Sequence, residues 1–171
     1  MRTSTICATL MVSMWLGCGG PEAGSTPRET FEAYQTARGR SDFAAVWELL
    51  SSASQERMER DAKDLAEEAR IARGPAKTAV EAQANRMDMT VEELERMTGR
   101  EYFIGLGQYS MGTEESEKLQ EELSRAKFDR EDILEERARV YATLDGKPWE
   151  EPPTVMVLED GRWKLDLTGI R

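Results

Sequence analysis

Val155-Met156-Val157-Leu158-Glu159-Asp160-Gly161-Arg162-Trp163-Lys164-Leu165-Asp166-Leu167 is the stretch that decides the fold. Residues 154–158 are rich in β-forming side chains. Asp160-Gly161 suits a two-residue hairpin turn, in which both central residues take positive φ. The residues after it alternate: Trp163, Leu165 and Leu167 share one face, and Lys164 and Asp166 the other. The chain therefore closes on an antiparallel hairpin with one apolar face, and a second layer must cover that face.

Working back from the hairpin, residues 148–153 (Pro-Trp-Glu-Glu-Pro-Pro) read as loop, and Asp145-Gly146 as another turn. Residues 127–135 and 137–144 pair as strands, although the second also tolerates a helical reading. Further upstream the period changes to that of helices. Residues 114–126 form either a short helix or the lead into a strand. Thr90-Val91-Glu92-Glu93 is a capping box that opens a helix carrying Leu94 and Met97. The apolar cluster Tyr102, Phe103, Ile104 and Leu106 is broken by Gly105 and Gly107. Residues 78–87 are a weakly amphipathic helix. Residues 55–73 are a charged helix with a thin stripe of Met58, Ala62, Leu65, Ala69 and Ala72, stopped by Gly74-Pro75.

Near the start, Thr26-Pro27-Arg28-Glu29 is a capping box with Pro at the first helical position. This helix sets Phe31, Tyr34 and Arg38 near one face and ends at Gly39. Ser41 or Asp42 caps the next, where Phe43, Val46, Trp47 and Leu50 recur at i, i+3, i+4 and i+7. Ser51-Ser52-Ala53-Ser54 then breaks the pattern. The expectation is one α+β domain over residues 26–171, with a mostly helical segment at about 55–125.

The chain has 171 residues, a net charge of −10 and no histidine. Without histidine there is no Ser-His-Asp or Cys-His catalysis and no histidine-based zinc site. The acidity opposes nucleic acid and anionic lipid headgroups. No cofactor is expected, and no metal.

The extreme N-terminus carries one cation, Arg2, followed by an uncharged run over residues 5–16 and then Gly17-Cys18. That run has the length of a signal-peptide core and is too short to span ~30 Å of hydrocarbon as a helix. Cleavage after Gly17 would remove Cys7 and leave Cys18 as the sole cysteine. It would also remove one cation and no anion, taking the net charge from −10 to −11. Residues 18–25 would then be a lipidated cysteine followed by a flexible tether with a mean reach of roughly 15 Å. The alternative is an ordinary secretory peptide. The junction resembles the bacterial lipobox, which implies a thioether-linked lipid on Cys18. It also implies a cell-envelope location, at the outer membrane facing the periplasm where the host has two membranes.

Two further segments resemble the nuclear-transport-factor-two-like superfamily. Residues 26–54 (TPRETFEAYQTARGRSDFAAVWELLSSAS) resemble its opening helix pair, and residues 155–167 its closing hairpin. The resemblance implies N-terminal helices packed on a curved, cone-like antiparallel sheet around a pocket. The long helical middle departs from that pattern.

Tyr34, Phe43, Trp47 and Trp163 are candidates to line such a pocket, although aromatics at these spacings also build cores. Asp42 is either a general base, as in some enzymes of that superfamily, or a helix cap. Asp129, Glu131, Asp132, Glu135 and Glu136 are either a cation site or a solvated face, with Arg130 and Arg137 among them. Trp149 is either an exposed anchor for an envelope protein partner or a lid over the sheet. The leading functional expectation is a non-enzymatic, membrane-tethered domain that binds a partner or a small ligand. The alternatives are an isomerase- or dehydratase-type pocket enzyme with an Asp or Tyr base, and a structural adaptor built on the middle helices.

Overall fold

The computed structural model describes residues 23–111 and 113–168. Among them, the switch from helical to alternating periodicity becomes a spatial segregation: seven helices come first, and a five-stranded antiparallel sheet follows. The fold class is α+β, as expected. Gly17 and Cys18 lie outside the described residues.

Helix α1 (Pro27–Gly39) begins at its capping box, where the Thr26 hydroxyl accepts the Glu29 N–H at 3.2 Å and the Glu29 carboxylate accepts the Thr26 N–H. Helix α2 (Phe43–Leu49) is capped by Asp42. Ser51 caps α3 (Ser52–Ile71), so the serine-rich stretch starts a helix at once where the sequence suggests a break. Serine favours both outcomes, since its hydroxyl satisfies the free N–H groups of a helix start. Then come α4 (Pro75–Arg86) and α5 (Val91–Leu94), a single turn that ends before Met97. A further capping box, Thr98 with Glu101, opens α6 (Gly99–Ser110). Helix α7 (Glu114–Arg125) completes the helical part.

Helix α6 runs straight through Gly105 and Gly107, where sequence reasoning expects an interruption. Glycine costs a helix ~1 kcal/mol relative to alanine. Close packing accounts for two of the three. A Cβ at Gly99 would lie 2.5 Å from the Glu59 backbone nitrogen, and one at Gly107 would lie 2.3 Å from the Phe43 ring. The missing side chains let α6 press onto α3 and α2.

The strands are β1 (Lys127–Leu134), β2 (Arg137–Leu144), β3 (Lys147–Pro148), β4 (Thr154–Glu159) and β5 (Arg162–Leu165). They lie in the order β1-β2-β4-β5, and β3 also pairs with β2. Pro148 therefore belongs to a short strand and not to the loop expected there. At the Asp160-Gly161 turn φ is 50° and 77°, and at Asp145-Gly146 it is 52° and 78°. Both are the paired positive values of a tight hairpin.

Two apolar cores form. In the main one, Phe31, Val46, Trp47, Leu49 and Leu50 from α1 and α2 cover Val140, Met156, Trp163 and Leu165 of the sheet. The other is purely helical: Ala62, Ala69, Val80, Ala84, Met87, Leu94 and Met97. The thin alanine stripe of α3 thus packs on its own domain.

The outer edge of β5 is sealed by the chain's own N-terminal part. The Trp163 N–H donates to the Gly24 carbonyl at 3.0 Å. The Thr30 hydroxyl donates to the Trp163 carbonyl at 2.9 Å and accepts the Gly24 N–H at 2.8 Å. Ala23 is buried in the main core. The flexible tether expected through Ser25 therefore ends sooner, because residues 23–25 are fixed by these bonds and by Glu29, which accepts from Ser25.

Thr30 is fully buried. Thr30→Val should lower unfolding stability by about 1–3 kcal/mol in urea, since it strands a donor and an acceptor. It should also raise hydrogen exchange at the Trp163 amide. Gly99→Ala should cost a similar ~1–3 kcal/mol by overpacking against backbone. Gly105→Ala, whose Cβ meets only the movable end of Met87 at 2.7 Å, should be neutral or stabilising by up to ~1 kcal/mol in the same assay.

Candidate functional site

The helices and the sheet do not close completely on one another. Between them runs an open groove of about 560 Å³, lined mainly by apolar side chains. Its size falls in the ~300–1,000 Å³ range of small-molecule sites. One side is built by Tyr34 and Arg38 of α1 and by Phe43, Val46 and Leu50 of α2. The roof comes from Phe103 and Leu106 of α6 and from Leu119 and Leu123 of α7. The sheet contributes Val155 and Leu165, and the loop after β3 contributes Trp149, Pro152 and Pro153.

Local sequence sets each wall. In α1, Tyr34 and Arg38 are one helical turn apart and so share a face. Leu119 and Leu123 repeat the i, i+4 spacing on α7, an otherwise charged helix. The prolines at 152 and 153 give the loop restricted φ values. Trp149 is held by its backbone N–H, which donates to the Ala142 carbonyl at 2.9 Å, and by its indole N–H, directed at Glu122 at 3.4 Å.

Of the four aromatic pocket candidates, Tyr34 and Phe43 line the groove. Trp47 and Trp163 sit in the main core, Trp47 tilted against Phe103 with ring centroids 5.8 Å apart. Trp149 is half-buried and forms a groove wall. Asp42 is exposed and caps α2, accepting the Ala45 N–H at 2.9 Å. The carboxylates at 129, 131, 132, 135 and 136 are spread along β1 and its turn into β2. Among the described residues, no group of three or more metal-ligating side chains is placed to hold an ion. No described helix is long and apolar enough to cross a membrane.

Two polar features of the groove escape sequence reasoning. The first is Arg38, whose guanidinium lies over the Phe43 ring, 4.9 Å from its centroid. Its Nε–H is buried without an acceptor. Burial pushes the neighbouring Tyr34 phenol above its ordinary pKa, with the Arg38 charge pulling the other way, so the phenol is neutral at physiological pH. The second is Asp166, which the alternation puts on the face with Lys164 yet which is 4% exposed. Strand β5 ends at Leu165, and Asp166 pairs with Arg137 and accepts the Thr168 N–H at 2.9 Å. Burial raises its pKa, but Thr168 and Arg137 together outweigh burial and hold it below the usual carboxylate value. No local signal marked either one, because both depend on contacts made elsewhere in the fold.

Chemically, the groove combines a large apolar surface with the Arg38 cation, the neutral Tyr34 phenol and the carboxylates of Glu151 and Asp166. Compared with family models, curated proteins and solved structures, the chain matches none.

Because the folded pKa of Asp166 is depressed, its stabilising contribution is fully present above the ordinary carboxylate value of about 4 and is lost as pH falls through the lower folded value. Asp166→Asn should therefore be less stable than the wild type at pH 7. The gap should shrink as unfolding is measured at successively lower pH below about 4.

Proposed function

We propose that this chain is a bacterial envelope lipoprotein, tethered by lipid on Cys18, whose α+β domain is a non-enzymatic receptor for a small apolar ligand. The observation that carries this reading is the groove: about 560 Å³ of open, mainly apolar space walled by Tyr34, Phe43, Leu119, Leu123 and Trp149. Such a surface favours apolar ligands through area removed from water, at roughly 25 cal/mol per Å².

The geometry weighs for binding and against chemistry. Asp42, a candidate base, is an exposed helix cap. Tyr34, the other, is held neutral by burial and is a poor proton acceptor. Trp149 turns into the groove, which supports a small ligand over a protein partner. The lipoprotein half of the proposal rests on Gly17-Cys18 and the uncharged run before it. Four residues, 19–22, separate Cys18 from the buried Ala23. At ~3.3–3.6 Å per residue, a lipid on Cys18 would hold Ala23 within about 18 Å of the membrane. The superfamily resemblance of residues 26–54 and 155–167 is consistent with a pocket-bearing domain, and we propose that kinship on those segments alone.

Two measurements test the two halves. Cys18→Ala should move the protein from the membrane fraction to the soluble one, and a variant that stays with membranes would sink the anchor. The neutral probe N-phenyl-1-naphthylamine should brighten on binding the folded protein, and Leu119→Arg should weaken that binding at least tenfold. No fluorescence gain with wild-type protein would sink the receptor.

A further inference from the structure

The groove is apolar along most of its wall, but its one cation has no carboxylate partner, only the neutral Tyr34 phenol beside it. Arg38 reaches it from α1. Among the described residues, no carboxylate lies within ion-pair distance of that guanidinium. This is unusual company in a chain with 33 acidic residues against 23 basic ones. Many of the other arginines have found a carboxylate, including Arg28, Arg57, Arg100, Arg125 and Arg137. Nor is the Arg38 side chain free in solvent. It is half-buried, stacked on Phe43, and its Nε–H lacks an acceptor. A buried donor without an acceptor carries a desolvation cost that a suitable ligand removes.

The groove's other charged groups do not meet this need. Asp166 is already paired with Arg137 and Thr168, and Glu151 stands exposed at the rim. Next to Arg38, the neutral Tyr34 phenol adds a hydroxyl that can donate to an anion.

We propose that the groove selects a single-chain amphiphile with a carboxylate head, the head taken by Arg38 and Tyr34 and the tail lying against Phe103, Leu119 and Leu123. A guanidinium fork matches a carboxylate in shape as well as charge. The apolar wall beyond it supplies the tail's burial. This assignment rests on the receptor reading above and adds the class of ligand.

Displacement of N-phenyl-1-naphthylamine from the full-length protein, below micelle-forming concentrations, separates the two ideas. Three competitors with the same twelve-carbon tail suffice: laurate, 1-dodecanol and dodecyltrimethylammonium. Wild-type protein should bind laurate at least tenfold more tightly than dodecanol, and the cation most weakly. Arg38→Gln should remove the preference for laurate over dodecanol. Arg38→Lys should keep part of the preference. The wild-type ranking requires no variant, so a misfolded Arg38→Gln protein does not shield the proposal. Equal binding of laurate and dodecanol by wild-type protein overturns the head-group assignment and leaves the apolar receptor standing. Failure of all three to displace a probe that does bind overturns the assignment too, and failure of the probe itself overturns both.

Discussion

Everything in this structure depends on sealing one strand edge. Strand β5 ends the sheet, so its outward backbone groups have no neighbouring strand to pair with. Each must find a partner or cost about 1–3 kcal/mol. The partners come from three separate places. Gly24 takes the Trp163 N–H, and Thr30 takes the Trp163 carbonyl. The Ser51 N–H donates to the Leu165 carbonyl at 2.8 Å, and the Ser54 hydroxyl accepts the Leu167 N–H at 2.8 Å. A single strand thus fixes the N-terminal segment, the first turn of α1 and the junction of α2 with α3. It also protects the sheet from pairing through an exposed edge.

Once α1, α2 and the start of α3 are fixed, the groove follows. Helix α6 is brought close to α2 and α3 through Gly107 and Gly99, which lack the side chains that would hold it away. Helix α7 is fastened to α1 differently. Gln35 donates to the Leu123 and Ala126 carbonyls at 2.9 and 2.8 Å, and Gln120 donates to the Arg38 carbonyl at 3.2 Å. Amide clamps at the helix ends set the spacing of α1 and α7 without requiring apolar side chains to fill the space between them. The result is a roof over α1 and α2 with room beneath it, closed on the far side by Trp149 and its prolines.

Much of this was legible in the sequence and the rest was not, for identifiable reasons. The closing hairpin, the turns at Asp145-Gly146 and Asp160-Gly161, and the capping boxes at Thr26 and Thr90 are local codes, and each marks an element where it was expected. Strands β1 and β2 likewise pair antiparallel. What failed was whatever depended on distant partners. Gly105 and Gly107 read as breakers because their neighbours, Met87 and Phe43, are remote in sequence. The serines at 51 and 54 read as a stop, although Ser51 caps a helix and both serines bind the Leu165 carbonyl at the end of β5. Residues 23–25 read as tether because nothing local signals that Gly24 completes a sheet edge. In the site, Tyr34 and Phe43 were visible as an aromatic pair, whereas Arg38 appeared only as a residue on their face. Its isolation from every carboxylate is a property of the folded molecule.

That isolation also bears on how a ligand would arrive. With a net charge of −10, the protein repels an anion approaching from bulk water. Salt confines this repulsion to about 8 Å at physiological ionic strength, so it slows the encounter more than it weakens the bound state. Inside the groove the balance reverses. Arg38 acts over a few ångströms in a partly desolvated site, where a charge interacts several times more strongly than in water. On the proposed reading, an amphiphilic anion would gain little by crossing water to such a protein and much by passing directly from a bilayer surface. If the proposed lipid on Cys18 holds Ala23 within about 18 Å of that surface, the domain would be in position for such a transfer. The proposed anchor, the apolar groove and the groove's Arg38 would therefore act together in such a transfer. The first would shorten the path, the second receive the tail, and the third distinguish the head.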